Sequence, residues 1–117
     1  MRRLLDRGLK QHGFETRLAG DGLQALTVYR RHLGEIDLVL LDVQMPGLDG
    51  PQTLAALRRE NPAVRCCFIS GHSGTYSEEE LLGLGALHYF RKPFLLGELA
   101  ARLHELLDQG KRGHSSP

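Results

Sequence analysis

The sequence predicts an α/β protein built on a doubly wound parallel sheet. Three observations carry this reading. Leu38-Val39-Leu40-Leu41 is apolar at every position rather than at alternate ones, as a strand reads when both of its faces are covered. Segments of helical spacing alternate with such short runs along the whole chain, and the connections are short. Three runs end in polar residues, Asp42, Ser70 and Lys92, which a parallel sheet would bring side by side at its carboxyl edge.

The elements follow in order. Arg2 to His12 has Leu4, Leu5 and Leu9 on one side and charged residues elsewhere, and Gly13 is a fitting stop. Phe14 to Ala19 alternates loosely and predicts a short strand. Asp21-Gly22 opens a second helix with Leu23, Leu26, Tyr29 and Leu33 at helical spacing, closed by Gly34. Asp37 begins the next strand in solvent and Asp42 ends it. Asp49-Gly50-Pro51 starts a third helix, because Asp49 can cap free amides and a first-turn proline loses no helical hydrogen bond. Leu54 and Leu57 face inward, and Asn61-Pro62 ends it. Val64 to Ser70 is a second buried strand. Gly71 to Tyr76 is a loop, and Ser77-Glu78-Glu79-Glu80 is a capping box for a short helix to about Gly83. Leu87 to Phe90 is a strand. The last helix covers Leu96 to about Leu107, with Leu95 where a polar cap is expected. Gly110 to Pro117 has the composition of a fraying tail.

Bulk properties narrow the function classes. The 117 residues suit one domain with a real core. Hydrophobic residues make up 41% and charged residues 25%, which is ordinary for a globular domain. The net charge is +1 and the basic block Lys111-Arg112 is short, so direct nucleic-acid binding is not indicated. No apolar run reaches membrane-spanning length, and no signal peptide is apparent. Cys66 and Cys67 are adjacent on a strand and point to opposite faces, so they read as small core residues in a reducing cytoplasm. The six histidines show no metal-ligand spacing on one helix face.

A carboxylate, a hydroxyl and an ammonium converging on one anion-sized space suit phosphoryl chemistry. The carboxylate can attack as a nucleophile while the other two bind oxygens of the transferred group. Each residue also has a plainer reading: Asp42 as a turn residue, Ser70 as a strand end, Lys92 as a surface lysine, and Tyr89 as a half-buried edge aromatic. Asp42 and the main-chain oxygen of Gln44 are too few ligands for Mg²⁺ by themselves.

Leu40-Leu41-Asp42-Val43-Gln44-Met45-Pro46-Gly47-Leu48-Asp49-Gly50 resembles the phosphoacceptor signature of response-regulator receiver domains, the flavodoxin-like, CheY-like fold. Gly85-Ala86, Tyr89 and Lys92-Pro93-Phe94 resemble its closing motif, and the similarity covers Arg2 to about Gln109. The resemblance implies a receiver domain over 1–109 and a flexible tail over 110–117. It implies that Asp42 accepts a phosphoryl group from a sensor histidine kinase or a histidine phosphotransfer domain. Gln44 would give a main-chain oxygen to Mg²⁺. Ser70 would donate to a phosphoryl oxygen, Lys92 would pair with the acyl phosphate, and the bond to Pro93 would be cis. Tyr89 would be an aromatic switch that turns inward. Gly71 would leave room for water or a partner, and Pro46, Gly47 and Asp49 would shape the loop and cap its helix.

The resemblance also exposes a gap. The family's first strand lies in the middle of its sheet and carries an acidic pair that holds the metal; both should lie just ahead of Met1. Losing about five buried apolar residues forfeits on the order of 10 kcal/mol, comparable to a domain's whole stability of about 5–15 kcal/mol. The expectation is a chain truncated relative to a functional parent, or a sheet completed by pairing with another chain, as in a dimer. Three functions stay open. The first is a cytoplasmic phosphorylation switch for an output protein or domain, with no enzymatic turnover beyond its own phosphorylation and dephosphorylation. The second is a pseudo-receiver acting as a phosphorylation-independent interaction module. The third is an aspartyl-phosphate phosphohydrolase, disfavoured because Gln44 stands where such enzymes place a general acid.

Overall fold

The protein is described from a computed structural model covering residues 2–45, 47–71 and 76–115, with side chains described within 7–108. The elements are α1 (Arg2–Gln11), α2 (Gly22–Arg31), β1 (Val39–Asp42), α3 (Gly50–Glu60), β2 (Cys66–Ser70), α4 (Glu78–Gly83), β3 (His88–Arg91) and α5 (Leu96–Ser115). The chain divides into two compact units, residues 18–93 and residues 1–17 with 94–117.

The larger unit holds a parallel sheet of order β1-β2-β3. Its register runs from Val39 opposite Cys66 to Asp42 opposite Ile69, and from Cys67 opposite His88 to Ser70 opposite Arg91. Leu26 and Tyr29 of α2, Leu54 and Leu57 of α3 and Leu81 of α4 pack with Leu41, Val43, Cys66, Phe68 and Tyr89 in one core. The helix starts are built as their sequences predict. Asp21 accepts from the Gln24 amide at 2.9 Å, and both Asp49–Gln52 and Ser77–Glu80 form reciprocal capping boxes. The hydroxyl of Tyr29 accepts from Asn61 Nδ2 at 3.0 Å, which ties α2 to the end of α3.

The sheet corrects two expectations. Leu41 is buried, but Leu38, Val39 and Leu40 are only half-buried. β1 is an edge strand, whereas β2 has a strand on each side and is buried at all five residues. The amides of Val39 and Val43 donate to Arg65 and Ile69, so those of Leu40 and Asp42, one residue out of step, point away from β2. The second correction is Phe14 to Ala19, which forms no strand. A strand exists only by pairing, and among the described residues no strand precedes Val39.

In the smaller unit the ring of Phe14 stacks on that of His104 with centroids 4.3 Å apart, and His104 Nε2 donates to the His12 carbonyl at 2.9 Å. Gly8 is packed so closely on Leu96 that a Cβ would overlap its side chain. Leu95 is exposed at the start of α5 and its carbonyl accepts from Leu99. The helix then runs to Ser115, well past the expected end at Leu107, and takes in much of the expected tail. Its glycines cost only about 1 kcal/mol each, and no proline stands between Leu96 and Pro117 to break it.

Both cysteines are free thiols and both are buried. Burial pushes Cys66 well above the usual thiol range and Cys67 up to about 12. Neutral thiols of this kind should not react with a disulfide reagent at pH 8 until denaturant is added. Because the folded values are raised, the stability they contribute is present below about pH 8.5. It is lost as the pH rises from there toward about 12. Fast labelling of either thiol in the native protein would contradict this packing.

Candidate functional site

The three strand ends meet, all within the larger unit. Asp42 ends β1, Ser70 ends β2, and Lys92 follows β3 by one residue. Lys92 Nζ lies 3.7 Å from Asp42 Oδ2, with the lysine side chain 22% exposed and the aspartate 40%. The Lys92 amide donates to the Ser70 carbonyl at 3.0 Å. That bond extends the β2–β3 ladder by one step, which is why the ammonium arrives beside the carboxylate of the strand beyond. Ser70 is 3% exposed. Asp42 Oδ1 accepts from the Gln44 amide at 3.3 Å, so the turn after β1 holds the carboxylate by its own backbone.

The other predicted residues fall around this cluster. Tyr89 corrects its expectation: it is 6% exposed, already turned into the core beside Phe68 rather than waiting to turn inward, and its hydroxyl donates to the Ser70 carbonyl at 3.4 Å. The Lys92–Pro93 bond is cis. A Cβ added at Gly71 would stand 3.6 Å from the Lys92 Cβ, an ordinary contact, so an alanine would fit there. Gly47 has φ +73, a left-handed turn that glycine adopts without strain. Pro46 lies outside the described residues. Gln44 is exposed.

Two residues escaped the sequence reading. The Gly50 amide donates to the Val43 carbonyl at 2.8 Å, and a Cβ at Gly50 would stand 2.5 Å from the Asp42 carbonyl oxygen. The helix start is therefore pressed onto the strand end that carries Asp42. A glycine wedged between a cap and a proline was the available signal. Tyr76 is the other, and its hydroxyl donates to Asp49 Oδ2 at 3.0 Å. It stands immediately before the cap Ser77, where an apolar residue often fixes the entry of the chain.

A divalent cation needs more donors than this cluster offers. Among the described residues no group of three or more His, Cys, Asp or Glu side chains gathers anywhere. Asp42 is the single carboxylate of the cluster, and its near neighbour is an ammonium. The residues present do not by themselves make a Mg²⁺ site.

A family model described as the response regulator receiver domain matches residues 1–104. The chain belongs to that family. Its α/β fold is that of CheY-like receiver domains. Over 103 residues it is 40% identical to the transcriptional regulatory protein PrrA of Mycobacterium tuberculosis, covering 88% of this chain and 43% of PrrA. It is 33% identical to the sensor kinase CckA of Brucella abortus over 103 residues, 88% of this chain and 11% of CckA. The receiver thus spans less than half of either relative. Among solved structures it is similar to the response regulator TrrA of Thermotoga maritima in complex with Mg²⁺ and BeF. That match has a TM-score of 0.76 and 28% identity, covering 90% of this chain and 88% of TrrA. In this receiver domain the helices α2, α3 and α4 share one core with the sheet, and the polar cluster sits at the sheet's carboxyl edge.

Proposed function

We propose that this receiver domain takes a phosphoryl group on Asp42 from a phosphohistidine of a sensor histidine kinase or a histidine phosphotransfer domain. The observation that carries the reading is the 3.7 Å approach of Lys92 Nζ to Asp42 Oδ2 at the edge where Ser70 also ends its strand. A carboxylate oxygen of Asp42 attacks phosphorus, the P–N bond breaks, and its electron pair returns to the imidazole. Lys92 pairs with the charge of the acyl phosphate, and Ser70 donates to one of its oxygens. Water later attacks phosphorus, inorganic phosphate leaves, and the carboxylate is restored. The chain turns over no other substrate, so it is a switch and a timer rather than an enzyme.

The output is a change at the surface of α4 and β3. Ser70 moves toward the phosphoryl group and Tyr89, whose hydroxyl bonds the Ser70 carbonyl, moves with it. Leu82, Leu84 and Leu87 are exposed on this side and suit an apolar partner surface in an output protein or domain. Mg²⁺ is the ion bound by the similar TrrA structure. Here the donors among the described residues fall short of holding it, and a second carboxylate is needed beside Asp42. No helix among the described residues is long and apolar enough to cross a membrane. With two free buried thiols, this supports a cytoplasmic protein.

The lone carboxylate favours a second reading, a pseudo-receiver that keeps the interaction face without taking phosphate. The deciding experiment incubates the protein with acetyl phosphate or a phosphorylated kinase domain while Mg²⁺ is raised through the millimolar range. Intact mass should rise by one phosphoryl group, mapped to Asp42 and absent from Asp42→Asn. No increment, together with no spectral response to beryllofluoride, overturns the phosphoacceptor reading and leaves the interaction module.

A further inference from the structure

The side chain and amide of Asp49 serve three contacts at once. Its Oδ1 accepts from the Gln52 amide at 2.8 Å, its own amide donates to Gln52 Oε1 at 3.0 Å, and its Oδ2 accepts from the Tyr76 hydroxyl at 3.0 Å. The first two close the capping box of α3. The third reaches the residue before Ser77, the N-cap of α4. The start of α3 is itself fixed to the strand end, through the Gly50 amide on the Val43 carbonyl and the tight fit of Gly50 against the Asp42 backbone. A continuous path of hydrogen bonds and backbone contact therefore joins Asp42 to Tyr76.

Resting on the phosphoacceptor reading of Asp42, we propose that Tyr76 is a positioning residue of the site. Its hydroxyl pins the start of α4 to the cap of α3 and so steadies the Gly50 contact on which the Asp42 backbone rests. The ring of Tyr76 packs on the core while the hydroxyl makes the tie. Phenylalanine would keep the first and lose the second. The hydrogen bond to Asp49 is the main cause that raises the Tyr76 phenol above its ordinary value, followed by burial and the charges of Asp49 and Glu80. The phenol therefore keeps its proton, and the tie holds through the physiological range.

Three measurements test this. In Tyr76→Phe the maximal rate of phosphoryl acceptance from acetyl phosphate should fall about threefold to tenfold, the scale of one hydrogen bond. The donor concentration giving half the rate should not change. A wild-type rate overturns the proposal. In Asp49→Asn, where asparagine caps α3 as well as aspartate does, spectrophotometric titration should show the Tyr76 phenol moving back toward its ordinary value. An unmoved titration means that the contact does not exist in solution, and overturns it. If the wild-type protein takes no phosphoryl group at all, the reading of Asp42 fails. The tie is then judged by amide hydrogen exchange of Gly50 and Leu81, faster in Tyr76→Phe if it exists and unchanged if it does not.

Discussion

Replacing Lys92 by alanine is expected to slow phosphoryl acceptance at Asp42 by about 10²–10³-fold, the usual loss when one preorganised charge partner of a transition state is removed. The transferred group brings a charge of about −1.5 to −2 next to a carboxylate that is already negative. Among the described side chains Lys92 is the cation placed to answer it, 3.7 Å from Asp42 Oδ2 and 22% exposed. At about 4 Å and an effective dielectric constant of about 20, one such pair of unit charges is worth up to about 4 kcal/mol. That bound agrees with the expected rate loss. The resting Lys92–Asp42 pair is half open to solvent and screened, so it adds only about 0–1 kcal/mol to stability. The variant should therefore melt almost as the wild type does. A time course by intact mass and a thermal melt separate the two effects. A rate within about threefold of wild type would remove Lys92 from the chemistry. Unfolding of the variant would instead mean that the pair holds the strand ends together.

Much of this arrangement was legible in the sequence because it depends on local signals. Asp49-Gly50-Pro51 and Ser77 with Glu80 gave two helix starts, and both capping boxes are present. The all-apolar runs at Leu38–Leu41 and Cys66–Ile69 gave two adjacent strands, with Asp42 and Ser70 at their ends. Burial was not legible at β1. A run that is apolar at every position says that a strand can be covered on both faces, whereas its place in the sheet decides whether it is. β1 is an edge, so Leu40 stays half-exposed. The same physics defeated Phe14 to Ala19. Loose alternation is a statement about side chains, but a strand needs a neighbour's backbone. The tie from Tyr76 to Asp49 spans a separation of 27 residues and leaves no periodicity to read.

The edge position of β1 makes β2 the strand on which the larger unit depends, and Phe68→Ala is expected to cost about 3–5 kcal/mol. Phe68 is 0% exposed and is the largest of the fully buried side chains. It sits mid-strand, opposite Leu41 on one side and Tyr89 on the other, so its removal leaves a cavity that two flanking strands hold open. Against a typical domain stability of about 5–15 kcal/mol, that loss is a fifth or more of the whole. Its ring also supports the site, since a Cβ at Gly50 would lie 3.1 Å from Phe68 Cε1. Removing the ring should therefore loosen the start of α3 under Asp42, and phosphoryl acceptance should fall in the same variant. It should not make room for Gly50→Ala. The nearer obstructions, at 2.5 and 2.9 Å, are the Asp42 carbonyl oxygen and the Val43 Cα, and neither is a side chain that can move aside. Urea unfolding of both single variants and the double variant checks the argument. A Phe68→Ala loss below about 1.5 kcal/mol, or a double variant more stable than Phe68→Ala alone, would show that this core repacks in a way its close fit does not allow.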